Sequence, residues 1–288
     1  MTDSALTIAA GPWRAAVKPF GAELCSLAHE GAGELIWPAL DPWRRHAPNL
    51  FPIVGRLSGD RLLHRGVSYP MGQHGFARDL PFALVEQASD RATFRLTDGE
   101  ATRRAYPFAF RLDISFALDS GGLSVTYEVA NPGAEVLPAS VGAHPAFRWP
   151  MDRSAPREAH AVRFDQEEPA PIRRLDQGLI LPEPQPTPVV GRVLALDDEL
   201  FLPDAMIFEA PVSRGLSFGT ERMAIRFTWE GFGQFGIWTK PGAPYLCLEP
   251  WAGFASPRGF DGEFTKKPGI FEVMPGSSRV FSYRVSLA

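Results

Sequence analysis

Apolar residues recur at every second position along most of this chain, a spacing that suits strands and disfavours helices. Leu112, Ile114, Phe116 and Leu118 alternate with polar or small residues, and the pattern resumes as Leu123, Val125, Tyr127 and Val129 after Ser120-Gly121-Gly122. Two such runs about a short glycine turn predict an antiparallel hairpin. Ile225, Phe227 and Trp229 repeat the period, and Phe281, Tyr283, Val285 and Leu287 carry it to the end of the sequence. The 27 glycines and 28 prolines cut these runs into short lengths, as in sandwiches and barrels. No segment carries a convincing helical stripe. The expected fold is all-β, a large antiparallel β-sandwich with few or no long helices, formed by residues 1 to 288 as one domain.

One stretch breaks the rhythm. Six prolines fall between Pro169 and Pro188, a density that bars a central strand. Similar strand patterns flank it on both sides, so a surface excursion of one domain fits better than a linker. The formal charge of −4 argues against a general nucleic-acid binder, which normally shows a basic face. No run reaches the length of a membrane span. Cys25 and Cys247 form neither a metal spacing nor a redox pair, which predicts buried, reduced thiols. The opening Met1-Thr2-Asp3-Ser4 carries no basic segment leading into an apolar run, so the expected location is cytoplasmic.

The chemistry centres on Tyr245-Leu246-Cys247-Leu248-Glu249-Pro250-Trp251. In a strand, Leu246 and Leu248 would point to one face and Tyr245, Cys247 and Glu249 to the other. The second face then carries a carboxylate between two aromatics, the lining of a sugar pocket. Pro250 keeps Glu249 extended. A lone glutamate is more often a solvated edge residue, so the reading depends on what else converges. Ser140-Val141-Gly142-Ala143-His144-Pro145 repeats the device, with a titratable side chain fixed just before a proline. His74, in Gln73-His74-Gly75-Phe76-Ala77-Arg78, sits where glycines let the chain turn sharply. Arg56 follows an apolar run and must leave for solvent or find a partner. His29, His46, His64 and His160 lack such surroundings and are expected at the surface. Gly231-Phe232-Gly233-Gln234-Phe235-Gly236 matches a dinucleotide fingerprint by letter only. A strand rather than a helix follows it, so it reads as a β connection.

Taken in order, the Leu50-to-Leu57 run, His74-Gly75-Phe76-Ala77-Arg78, His144-Pro145-Ala146-Phe147 and Leu248-Glu249-Pro250-Trp251 resemble the aldose 1-epimerase (galactose mutarotase-like) superfamily, and within it the bacterial mutarotase-like branch. Phe20-Gly21-Ala22-Glu23-Leu24 and Glu34-Leu35-Ile36-Trp37 extend the likeness over essentially the whole chain. The resemblance implies a β-sandwich carrying a sugar site on a concave sheet face, and a cofactor-independent isomerase needing neither metal nor nucleotide. By motif, His144 would be the general acid at the ring oxygen and Glu249 the base at the C1 hydroxyl. Arg56, His74 and Asp204 would bind the sugar, with Asp204 favouring a protonated His144. Trp251 and Tyr245 would pack on the pyranose, and Arg78 would fix the loop of His74 behind it. The implied substrate is an aldohexose, with no nucleic-acid or membrane partner.

Three other readings share parts of the pattern. A hexose-6-phosphate 1-epimerase would need arginine forks for its phosphate, and Arg56, Arg61, Arg65 and Arg78 lie near His74 in sequence. A carbohydrate-binding domain could keep the fold without catalysis. A glycosidase built on Asp204 and Glu249 leaves both histidine motifs without a purpose.

Overall fold

The computed structural model describes residues 4–288. Among these, strands dominate, and the α-helical content is one four-residue turn, Glu100–Arg103. The predicted hairpin forms between Arg111–Asp119 and Gly122–Ala130, with Leu118 opposite Leu123. Its alternating apolar residues are all buried, while Asp113, Ser115, Thr126 and Glu128 take the other face, where Arg95 and Arg111 pair with the acids at 2.7 Å. The hairpin lies inside a nine-stranded antiparallel sheet that also contains Ala224–Glu230 and, at its middle, Ser278–Leu287.

A second, six-stranded sheet has Tyr245–Ala252 at its centre, paired with Gln234–Trp238 on one side and with Val141–Ala143 and Ala146–Arg148 on the other. Aromatic side chains from the two sheets interdigitate between them. Phe227 of the large sheet lies 6.0 Å, centroid to centroid, from both Phe147 and Phe235 of the small one. Leu246 and Leu248 enter this same core, as the period-two reading requires. Tyr245 and Cys247 face the opposite way, into a smaller cluster with Trp37, Ala146 and Ala243. A four-stranded sheet from residues 6–34 adds Trp13, Val17 and Leu24 to the main core.

Two expectations need correction. His160 is buried rather than at the surface, because its Nε2 accepts the Asp152 N–H at 2.9 Å and its ring packs near Phe218. Of the two free cysteines, Cys247 is fully buried but Cys25 only half-buried. The proline-rich stretch is more structured than a bare excursion. It holds a small hairpin, Leu175–Asp176 with Leu179–Ile180, and is tied back through Arg173 N–H to Ile207 O at 2.8 Å. Residues 1–3, on which the expected location partly rests, lie outside the described residues. No helix among those described is long and apolar enough to cross a membrane.

Candidate active site

Register brings the two key side chains together. Gly142 pairs with Trp251 and Ala146 with Cys247, so His144 falls directly opposite Glu249 on the neighbouring antiparallel strand. Pro145 and Pro250 each lack an N–H, which opens the ladder at this point and leaves both side chains free to turn out of the sheet. His144 Nε2 lies 3.2 Å from Glu249 Oε2. Both border a cavity of about 240 Å³ that is also lined by Trp43, Gln73, His74, Arg78, Leu175, Asp204, Trp238 and Trp251.

The environment of the pair is dry. Trp43 stacks on the His144 imidazole at 5.2 Å and 26°, while Trp238 and His74 meet it edge-on at 5.8 and 5.7 Å. Burial drives His144 down to about 3, opposed by its own backbone and Glu23, with Arg78 and Arg45 adding to the depression. Burial pushes the Glu249 carboxyl well above the usual range and the Asp204 charge adds to that, against a smaller pull from the Trp251 indole. The charged form is disfavoured at both groups. Between the two groups, burial thus favours the neutral imidazole and the uncharged carboxyl. Asp204, expected to favour a protonated His144, also acts on Glu249, whose carboxyl its charge raises.

His74 takes its place from a backbone few residues tolerate, with φ of 66°, followed by Gly75 at 73°. A Cβ on Gly75 would sit 2.2 Å from Phe51 O, so only glycine lets this loop lie on the Phe51–Gly55 segment. His74 N–H donates to Gly55 O at 2.7 Å, and the Gly55 N–H donates back to His74 Nδ1 at 3.1 Å. Because Nδ1 accepts, the proton of the neutral ring must be on Nε2. Burial, with His144, Arg78 and Arg45 nearby, holds His74 well below the ordinary imidazole range. It is thus a neutral donor beside His144. Arg78 fixes this loop by donating to Gln73 O at 2.6 Å and also lines the cavity.

Asp204 reaches the cavity from a turn with φ of 68°, where its Oδ1 accepts the Ala205 N–H at 2.7 Å. Buried Arg174, from the proline-rich stretch, holds that turn by donating to Asp204 O at 2.8 Å. Leu175 from the same stretch forms a wall.

Arg56 does not reach the cavity. Its guanidinium forks onto Asp60 at 2.6 and 2.5 Å and donates to Gln177 O at 3.2 Å, on the exposed side of the small hairpin. The nearby carboxylate satisfies the fork before a sugar could. Exposed pairs of this kind contribute little, so Arg56→Ala should leave KM within about twofold of the parent in an anomerisation assay. A larger rise would return Arg56 to the binding set.

Tyr245 also falls short. It lies behind Trp43, at 5.4 Å, with Trp37 at 5.3 Å on another side. The aromatic walls are Trp251, Trp43 and Trp238. Trp238 pairs directly with Cys247, so strand alternation put it on the Glu249 face once the two strands were paired. Trp43 had no such signal. It stands in an irregular loop, held where the Trp37 indole N–H donates to its carbonyl at 2.9 Å.

This arrangement has counterparts. A galactose mutarotase related enzyme from Lactobacillus acidophilus superposes with a TM-score of 0.90 at 30% identity, covering 99% of this chain and 97% of that one. A galactose mutarotase-like protein from Lactobacillus casei superposes with a TM-score of 0.91 at 26% identity over 99% of this chain and all of the other. The LacX protein of Lactococcus lactis is 28% identical over 94% of this chain and 95% of its own length. The sequence pattern of the family described as aldose 1-epimerase matches residues 4–253. That span takes in both members of the facing pair and every side chain named above as lining the cavity, and the chain belongs to the aldose 1-epimerase family.

Proposed function

We propose that this protein interconverts the α and β anomers of a free aldohexose, with His144 and Glu249 exchanging protons with the sugar. The carrying observation is the 3.2 Å separation of their side chains at the edge of one small cavity. Drug-sized ligands usually occupy roughly 300–1,000 Å³, so a space of about 240 Å³ suits a single monosaccharide.

Ring opening removes a proton from O1 and delivers one to O5; rotation about C1–C2 and reclosure then invert the anomeric carbon. The pair stores the one proton this needs. When a sugar hydroxyl donates to Glu249 it favours the carboxylate, and the proton can cross to His144 Nε2. His144 then protonates O5 as Glu249 takes the proton from O1, and reclosure reverses both transfers. His74 Nε2–H supplies a neutral hydrogen bond to a sugar oxygen, Asp204 accepts from a hydroxyl, and Trp251 packs on the apolar face of the ring. Well-placed acid and base groups contribute about 10²–10⁴-fold each, which together lower the barrier by roughly 5–11 kcal/mol if they add.

The free sugar is favoured over its 6-phosphate by the arginines. Arg56, Arg61 and Arg65 lie away from this cavity, and Arg78, which lines it, already gives one N–H to Gln73 O. A phosphate is held best where several cationic forks converge, and among the described residues Arg78 is the one arginine lining this cavity. The two free cysteines suit a reducing compartment, and we place the reaction in the cytoplasm. Polarimetry tests the function directly. Freshly dissolved α-aldohexoses should reach anomeric equilibrium faster with the protein than without, and the 6-phosphates should gain less at matched concentration. Sugar binding without acceleration would instead make this a binding domain, and faster turnover of the phosphates would reverse the substrate preference.

A further inference from the structure

Cys247 has no part in the reaction above, yet its position is not that of an ordinary core thiol. It lies two residues before Glu249 on the same face of the same strand, fully buried. Its Sγ, one ring nitrogen of His144 and a carboxylate oxygen of Glu249 all fall within 4.8 Å of one another. One atom of this group has unmet bonding capacity: Glu249 Oε2 is buried without a hydrogen-bond partner, in a residue that borders the cavity.

We propose that Cys247, His144 and Glu249 form a binding site for a thiophilic divalent cation of the Zn²⁺ class, and that its occupancy switches off the acid–base pair. Thiolate, imidazole and carboxylate are the ordinary zinc donors, at about 2.3, 2.0 and 2.1 Å. Tetrahedral bonds of those lengths separate S and N by roughly 3.6 Å, so side-chain shifts of about 1 Å close the site. His144 and Glu249 border the cavity, so an ion reaches the thiol by passing between them, and a water or sugar oxygen can take the fourth position, as in zinc sites with three protein ligands.

On binding, the Cys247 S–H proton and any proton on Glu249 leave for solvent, and one 2+ ion takes their place beside two anions and a neutral imidazole, so the occupied site carries no unpaired charge into the interior. Glu249 can then no longer hold or pass a proton, and His144 Nε2 is committed to the metal. Mg²⁺ and Ca²⁺ favour all-oxygen sites and should not compete.

The test uses the full chain and Co²⁺ as a spectroscopic substitute for zinc. A 1:1 titration should raise a thiolate-to-cobalt charge-transfer band with the strong visible absorption of a tetrahedral ion, and Zn²⁺ should displace it. Cys247→Ala should lose that band, keep the basal anomerisation rate, and need at least tenfold more Zn²⁺ for half-inhibition. Cys247→Ser, closer in volume, repeats the measurement if the alanine variant folds poorly. Absence of the band in the parent, an equal band in the variants, or equal inhibition by Mg²⁺ would each overturn the proposal. The inhibitory half rests on the proposed epimerase activity, but the cobalt spectrum does not. A band in a protein that fails to accelerate mutarotation refutes the function and leaves the metal site standing.

Discussion

Glu249→Gln should lower kcat for anomer interconversion by about 10²–10⁴-fold while leaving the fold intact. The structural half of this expectation follows from protonation. Burial pushes the Glu249 carboxyl well up and so favours its uncharged form, which a neutral amide of nearly the same shape replaces. No charge is stranded, and His144 loses a neighbour it holds at 3.2 Å without a hydrogen bond of good geometry. Thermal unfolding should therefore move by only a few degrees. The catalytic half follows because an amide can neither accept the O1 proton nor pass one to His144. KM should change little, since His74, Asp204 and Trp251 remain. His144→Gln should cost a similar factor. The double variant should be barely worse than either single, because two groups sharing one proton act as a unit. Multiplicative losses would mean that each works independently. A Glu249→Gln enzyme with near-parental kcat would remove the carboxylate from the chemistry altogether.

The elements that rest on local alternation were legible in the sequence. Leu246 and Leu248 against Tyr245, Cys247 and Glu249 is a statement about the two faces of one strand, and burial follows it residue by residue. The facing of His144 and Glu249 needed one more step. Each stands before a proline, and that shared device marks the ladder gap in which they meet, but only strand register makes them opposite. Side chains placed by loops were not legible. Trp43 depends on a carbonyl held by Trp37, and Leu175 on a hairpin tied to the strand Met206–Phe208. Arg56 failed for the opposite reason. Its neighbour in sequence, Gly55, borders the cavity, but Asp60 stands one short hop away and takes the guanidinium outward. Sequence proximity to a site residue says which backbone is near, while the direction of a long charged side chain is set by where its counter-charge lies.

Gly236→Ala should damage the site from the opposite side, without touching a polar group. Gly236 pairs with Glu249, and Gly142 with Trp251, so the Trp251 indole lies across glycines on both flanking strands. A Cβ at Gly236 would stand 2.5 Å from the six-membered ring, and one at Gly142 would stand 2.6 Å from the other end. Both are far inside van der Waals contact, which begins near 3.4 Å. Neither glycine has a positive φ, so the backbone accepts alanine and the cost is the displaced ring. Overpacking of this kind costs about 1–3 kcal/mol. The displaced ring moves toward the cavity or against the cluster it packs in, with Leu50, Val54 and Ile207. On the proposed function, with Trp251 packing on the sugar, either movement displaces the substrate, so KM should rise by about tenfold or more, with kcat falling less, because a misplaced substrate loses reactivity steeply with distance. A Gly236→Ala/Trp251→Phe double variant, with a ring short enough to clear the new methyl, should regain stability relative to the single. Stability and KM both unchanged in Gly236→Ala would show that the indole has room to spare, and that the glycines are not what sets the floor of the pocket.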